Sequence, residues 1–349
     1  MMSEITSDRR DMRKLQITGG STYILSLPKK WVEEMGLDRG SIVALEKQKD
    51  GSILILSESA KTIERPTEAI ILCESGENPN LIIRKVVSAY LVGHNVIRVR
   101  GKERLDFTLR NRLKDFIRKK LVGTEVIADS PSEIELKVLL SYPELSIQSA
   151  LRRMCVITSS MHRDAMKALK EGSSELAREV IYMDDEVDRF SFYIIRQLKA
   201  AVEDSNILRE VELTTRRDCL GYRLITKAVE RTADHAVDIA NNTLILKKPV
   251  ELEVFKSINT MSDSAIMLFD ETTETLYKRD FQFANEIIQK ANQVTLLRNG
   301  LMKSILKRAN VSEVSSLSLI TESITRVAEY VSDIAEIILN LNIEHNLSQ

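Results

Sequence analysis

Cysteine is scarce in this chain of 349 residues: Cys73, Cys155 and Cys219 are far apart, odd in number and without a Cys-x-x-Cys. That spacing excludes a disulfide framework and a zinc knuckle, and it fits a reducing cytoplasm. Long apolar runs are missing too. Nothing approaches the ~20 residues that cross a bilayer, and the first ten residues lack the apolar centre of a signal peptide, so a cytoplasmic protein without membrane insertion is expected. Net charge is nearly absent, at 50 basic against 51 acidic residues, so any affinity for nucleic acid must reside in a local patch. Glycine and proline total 12 and 6, and after Ser146 they nearly vanish, leaving long 3.6-residue patterns. Also lacking are a Gly-rich phosphate loop, His-Glu-x-x-His, and a serine or cysteine nucleophile in a recognisable setting, and the chain is read as no enzyme.

What is present exceeds one hydrophobic core, so several domains are expected. The organising feature is a repeated stretch. Residues 230–240 and 325–335 share a pattern offset by 95 positions, from Asp234 to Glu329. Glu230, Asp234 and Asp238 stand at i, i+4, i+8, which stacks three carboxylates in one helical row; Glu329 and Asp333 keep that row in the second copy. Like charges so placed repel, and either a bound cation or solvent must relieve them.

Residues 1–60 read as strand, Gly19-Gly20 turn, strand, a helix opened by Pro28 and closed by Gly36, then two strands joined at Asp50-Gly51. The unit is too small to bury much alone. Its order, with Leu27-Pro28-Lys29-Lys30 and Met35-Gly36-Leu37-Asp38-Arg39-Gly40 before Val43, resembles the AbrB/SpoVT family of DNA-binding domains. The resemblance implies a small swapped-hairpin β-barrel completed by a homodimer, with basic residues of the first strands meeting phosphates of double-stranded DNA. Arg9, Arg10, Arg13, Lys14, Lys29 and Lys30 against the single Asp11 supply that charge. The alternative is a solvated face of a dimerisation module, and the family's frequent arginine in the second strand is replaced here by Ser21-Thr22-Tyr23-Ile24.

Residues 61–145 read as β-α-β-α-β-β, a two-layer α/β domain of ferredoxin-like type. Between Arg98 and Lys120 ten basic residues face three acids, which suits either a grip on a phosphate-rich partner or a solvated helix face.

Residues 146–349 carry six helical patterns, near 146–171, 173–203, 213–246, 251–278, 280–308 and 312–342. The repeat makes them an all-α double three-helix bundle, 146–248 and 249–349, with Val229, Ala233, Ala236 and Ala240 as an apolar stripe. Asp184, Asp185 and Asp188 in the second helix would bring a second acidic row to face the first. Such oxygen ligands suit hard cations. At the matching places of the second copy stand Asn292 and Thr295, so its site is poorer. His235 turns ~100° away from Asp234 and is read as structural. No pair of Glu-x-x-His motifs is present, as ferritin-like di-iron sites require.

The run from Arg217 to Ala236, Arg-Asp-Cys-Leu-Gly-Tyr-Arg-Leu-Ile-Thr-Lys-Ala-Val-Glu-Arg-Thr-Ala-Asp-His-Ala, is similar to archaeal members of the PhoU family. That resemblance implies iron or zinc clusters on the acidic rows of the bundles, while the oxygen-only ligands also suit manganese or magnesium. It also implies a role in phosphate signalling, restraining uptake by the phosphate transporter. Three functions are weighed: a DNA-binding transcriptional regulator of phosphate homeostasis with a metal-binding sensor half; an accessory protein docking on the transporter ATPase or a signalling partner; and a metal-dependent enzyme, the weakest.

Overall fold

Short alternating runs on either side of Gly19-Gly20 make the first strand pair. In the computed structural model, which describes residues 11–47, 51–57, 67–139, 145–246, 248–278, 280–306 and 311–347, β1 (Gln16–Thr18) and β2 (Thr22–Ile24) are antiparallel, with Ile17 opposite Tyr23. Gly19 and Gly20 take φ of 62° and 82°, which residues with a Cβ rarely adopt, so the reversal depends on them. Pro28 precedes α1 (Lys29–Glu34), and β3 (Val43–Lys47) pairs antiparallel with β4 (Ile53–Ser57). The order β-β-α-β-β matches the sequence pattern. The two hairpins remain separate two-stranded sheets. Among the described residues of this unit Leu37 alone is a buried apolar side chain, whereas Ile17, Tyr23, Ile42, Leu45 and Ile53 are 63% to 75% exposed.

The chain divides into two units, Met1–Arg65 and Pro66–Gln349. The α/β domain and the helices both belong to the second unit, each with its own apolar core. In the α/β domain β5 (Glu68–Cys73), α2 (Pro79–Val92), β6 (Val96–Gly101), α3 (Phe107–Lys120), β7 (Thr124–Asp129) and β8 (Glu133–Val138) follow in the expected order. The sheet order is β5-β6-β8-β7, with β5 parallel to β6 and the other pairs antiparallel. This corrects the ferredoxin-like expectation, whose order is β-α-β-β-α-β. Here the α2 crossover puts β5 beside β6, and α3 then leads to the terminal hairpin, whose second strand β8 pairs with β6. Ile82, Val86 and Tyr90 of α2 and Leu109, Leu113 and Ile117 of α3 cover Ile97, Val99, Ile134 and Leu136 of the sheet. The other face carries a charge ladder, in which Arg98 reaches Glu68 at 2.6 Å and Glu135 at 3.0 Å, and Arg100 reaches Glu133.

Beyond Ser146 come α4 (Ile147–Glu171), α5 (Ser174–Glu203), the short α6 (Ser205–Glu210), α7 (Arg216–Leu246), α8 (Leu252–Lys278), α9 (Phe281–Ile305) and α10 (Val311–Leu347). Serine and aspartate start three of them: the side chains of Ser146, Ser173 and Asp280 accept from the backbone N–H of Ser149, Leu176 and Phe283. The six long helices lie where the periodicity puts them; α6 occupies the weak break. One continuous apolar core runs through both repeats rather than two separate bundle cores. Gly221 permits part of this, since a Cβ there would come within 2.8 Å of Leu341 on α10. All three cysteines are free and buried. Among the described residues no helix is long and apolar enough to cross a membrane.

Candidate functional site

The acidic residues of α5 and α7 meet because these helices lie side by side. Asp188 and Glu230 come close enough to Asp184 and Asp234 to help raise the carboxyls of those two. Burial pushes Asp234 up to about 7, helped by Glu230 and Asp184, although it keeps an exposed edge. Asp184 rises to about 6, again by burial first and then by Asp188, and its Oδ1 is buried without a hydrogen-bond partner.

Cations of the protein itself enter this cluster. Lys120, at the last turn of α3, places its Nζ 3.0 Å from Asp185 Oδ1 and 2.5 Å from Asp188 Oδ2. Burial works against the Lys120 ammonium, yet the two aspartates outweigh it and its pKa is raised. Lys119 lies 3.8 Å from Asp185 and 5.3 Å above the Tyr182 ring, and Lys227 pairs with Glu230. The i, i+4, i+8 row does not stay together: Asp238 is 57% exposed, with its carboxylate 3.4 Å from His235 Nδ1. Four residues of helix overshoot a full turn by ~40°, so across eight residues the row rotates ~80° and its third member leaves the α5 face.

In the second copy Arg326 reaches Glu329 at 2.7 Å and Glu322 at 3.1 Å. Asp333 is raised by burial and by Glu329, with Arg231 opposing. His235 and Tyr330 occupy equivalent places of the repeat, 95 positions apart, and stack with ring centroids 5.7 Å apart. His235 is therefore part of the α7–α10 contact, and burial pushes its imidazole down against the pull of Asp238.

Among the described residues no group of three or more His, Cys, Asp or Glu side chains is arranged to hold a metal ion. The donors are oxygen only, and lysines or arginine already balance most of them.

The ten cations between Arg98 and Lys120 are largely matched inside the protein. Besides the sheet ladder, Arg110 and Lys114 share Asp129, Lys102 pairs with Glu74, and Arg112 donates to Asn80. Sequence reasoning missed Lys120 as a partner of the acidic row, and it missed Arg196. This buried arginine of α5 donates to the backbone carbonyls of Tyr90, Gly93 and His94 and to Asn95 Oδ1, clamping the end of α2. A charge inside the apolar run Phe-Tyr-Ile-Ile-Arg-Gln-Leu was the available signal.

In the N-terminal unit Arg13 pairs with Asp11 at 2.7 Å, Lys29 with Glu33 at 3.5 Å and Lys30 with Glu34 at 3.9 Å, and Lys14 is exposed. Arg9 and Arg10 lie outside the described residues.

Tandem helical repeats that share one core, following a strand-and-turn unit in the chain, define a multidomain protein with an acidic seam between α5 and α7. Residues 151–243 and 258–338 match the PhoU domain family, and residues 16–64 match the family described as antidote-toxin recognition MazE, bacterial antitoxin. The helical half belongs to the PhoU domain family. Over 142 residues the chain is 27% identical to a phosphate-specific transport system accessory protein PhoU homolog of Aquifex aeolicus, covering 41% of this chain and 62% of that one. A protein of the same description from Thermotoga maritima is 19% identical over 210 residues, 58% of this chain and 88% of that one. The crystal structure of PhoU from Pseudomonas aeruginosa matches with a TM-score of 0.51 at 17% identity, covering 57% of this chain and 96% of that one. Lys119 and Lys120 lie outside the PhoU-matched residues.

Proposed function

We propose that this protein is a cytoplasmic regulator of phosphate uptake that binds double-stranded DNA as a homodimer through residues 1–60 and uses the helical half to sense the state of the cell. The observation that carries this is a MazE-type domain, poor in buried apolar surface, joined to a pair of PhoU repeats. A unit whose described residues leave ten large hydrophobic side chains exposed lowers its free energy by pairing with a second copy. The ion pairs of Arg13, Lys29 and Lys30 are exposed, contribute under ~1 kcal/mol each, and yield readily to DNA phosphates. An electrophoretic shift series across salt tests it: binding should weaken steeply with salt, and Lys14→Gln should lower the log-log slope by about 1. No shift at low salt removes the DNA role and leaves the alternative that the relatives' descriptions favour, an accessory protein docking on the phosphate transporter or a signalling partner. The relatives are described as accessory proteins, and we place this chain with them rather than among enzymes.

A metal ion at the acidic cluster is a second reading, supported by the unpartnered Asp184 oxygen and the raised Asp234, and opposed by the ammonium groups already present. Metal analysis of the purified protein beside Asp184→Asn and Asp234→Asn decides it. Equal content in all three would discard the reading.

A further inference from the structure

Helices α4 and α8 belong to different repeats and are joined along part of their length. Tyr277 donates to the Gln148 carbonyl at 3.1 Å, Ser159 donates to Asp270 at 2.7 Å, and His162 Nε2 lies 2.7 Å from Ser262 Oγ. Past this zip, toward the end of α4, the helices enclose a cavity of about 290 Å³. His162 and Ser262, both buried, line it, and His162 Nδ1 has no hydrogen-bond partner among the described residues.

Met166, Phe255 and Ile266 give this cavity an apolar wall. Its mouth is mixed in charge. Lys167 and Lys170, three residues apart on α4, are exposed and make no ion pair among the described residues, whereas Arg163 is taken by Asp270 and Asp263 accepts from Asn259 at 2.6 Å. With Glu171 the lining holds three cations and two acids. Two unpaired ammonium groups attract an anionic oxygen cluster, and the acids beside them repel a highly charged one. The volume is at the small end for ligand pockets, which run from ~300 Å³ upward.

We propose that this cavity binds a small molecule carrying a single phosphoryl group, with Lys167 and Lys170 holding its oxygens at the mouth. The phosphoryl group comes either from orthophosphate or from a small phosphomonoester, and Glu171 and Asp263 turn away pyrophosphate and nucleoside triphosphates. The ligand would sit on the seam between the repeats. This deepens the proposed sensing role and rests on it, but it involves none of the residues assigned to DNA.

Isothermal titration of the full chain with orthophosphate, glycerol phosphate and pyrophosphate tests the site, beside the double variant Lys167→Gln/Lys170→Gln. Both lysines are exposed, so the variant should keep its fold, which circular dichroism verifies. Saturable binding of orthophosphate or glycerol phosphate is expected, weakened by on the order of tenfold in the variant. The tighter of the two identifies the source. Silence with both ligands, equal affinity in the variant, or preference for pyrophosphate overturns the proposal. A silent titration alongside a positive shift assay would remove the cavity and leave DNA binding standing; the reverse result would do the opposite.

Discussion

Asp234 shows how one residue's environment changes its chemistry. A carboxyl raised to about 7 in the folded protein binds its proton more tightly than in the unfolded chain. Its contribution therefore becomes less favourable as pH rises from near 4 to near 7 and is constant above. Asp234→Asn removes that penalty. In chelator-containing buffer the variant should melt a few degrees higher than the parent at pH 8 and at the same temperature below pH 4, as followed by circular dichroism. A difference that does not change with pH would mean the carboxylate is fully solvated. Gly172 presents a steric problem instead. It caps α4 at φ 65°, and an added Cβ would come within 2.7 Å of the Pro249 nitrogen, so Gly172→Ala should cost about 2–4 kcal/mol in urea denaturation.

Among elements, α5 holds the α/β domain. Asp185, Asp188 and Arg196 lie along it, and the first two receive Lys120 while the third clamps the end of α2. Lys120→Gln would leave the aspartates facing Asp184 and Glu230 with one cation fewer. The expected loss lies between the ~1 kcal/mol of an exposed pair and the ~3 kcal/mol of a buried one, and it should shrink in high salt. Thermal melts at two salt concentrations measure it, with hydrogen exchange at the end of α3 reporting whether the domain loosens. No change in either would make the pairing incidental.

At the level of the whole molecule the two units differ in what they can bury. The unit from Pro66 onward has its own cores, one under the sheet and one through six long helices. The unit before it exposes the strand residues that would otherwise line a barrel. Light scattering should therefore find a dimer for the full chain, and Ile17→Asp should convert it to monomer and abolish the DNA shift while leaving the helical content intact. A variant that remained dimeric would place the interface elsewhere.

Much of this was legible in the residues. Helix positions follow from spacing between near neighbours, and the 3.6-residue pattern located all six long helices because each records locally which face meets the core. The Gly19-Gly20 turn and the hairpins are local in the same sense. The sequence likewise showed that Glu230 and Asp234 share a face, since four residues nearly complete a turn. Tertiary structure alone decided that Asp238 leaves that face for His235, that β5 pairs with β6, and that the two repeats share one core. It also decided what neutralises the acids: Lys120 meets Asp188 across 68 positions of chain. No local pattern encodes such a meeting, because it depends on where the α/β domain docks along α5.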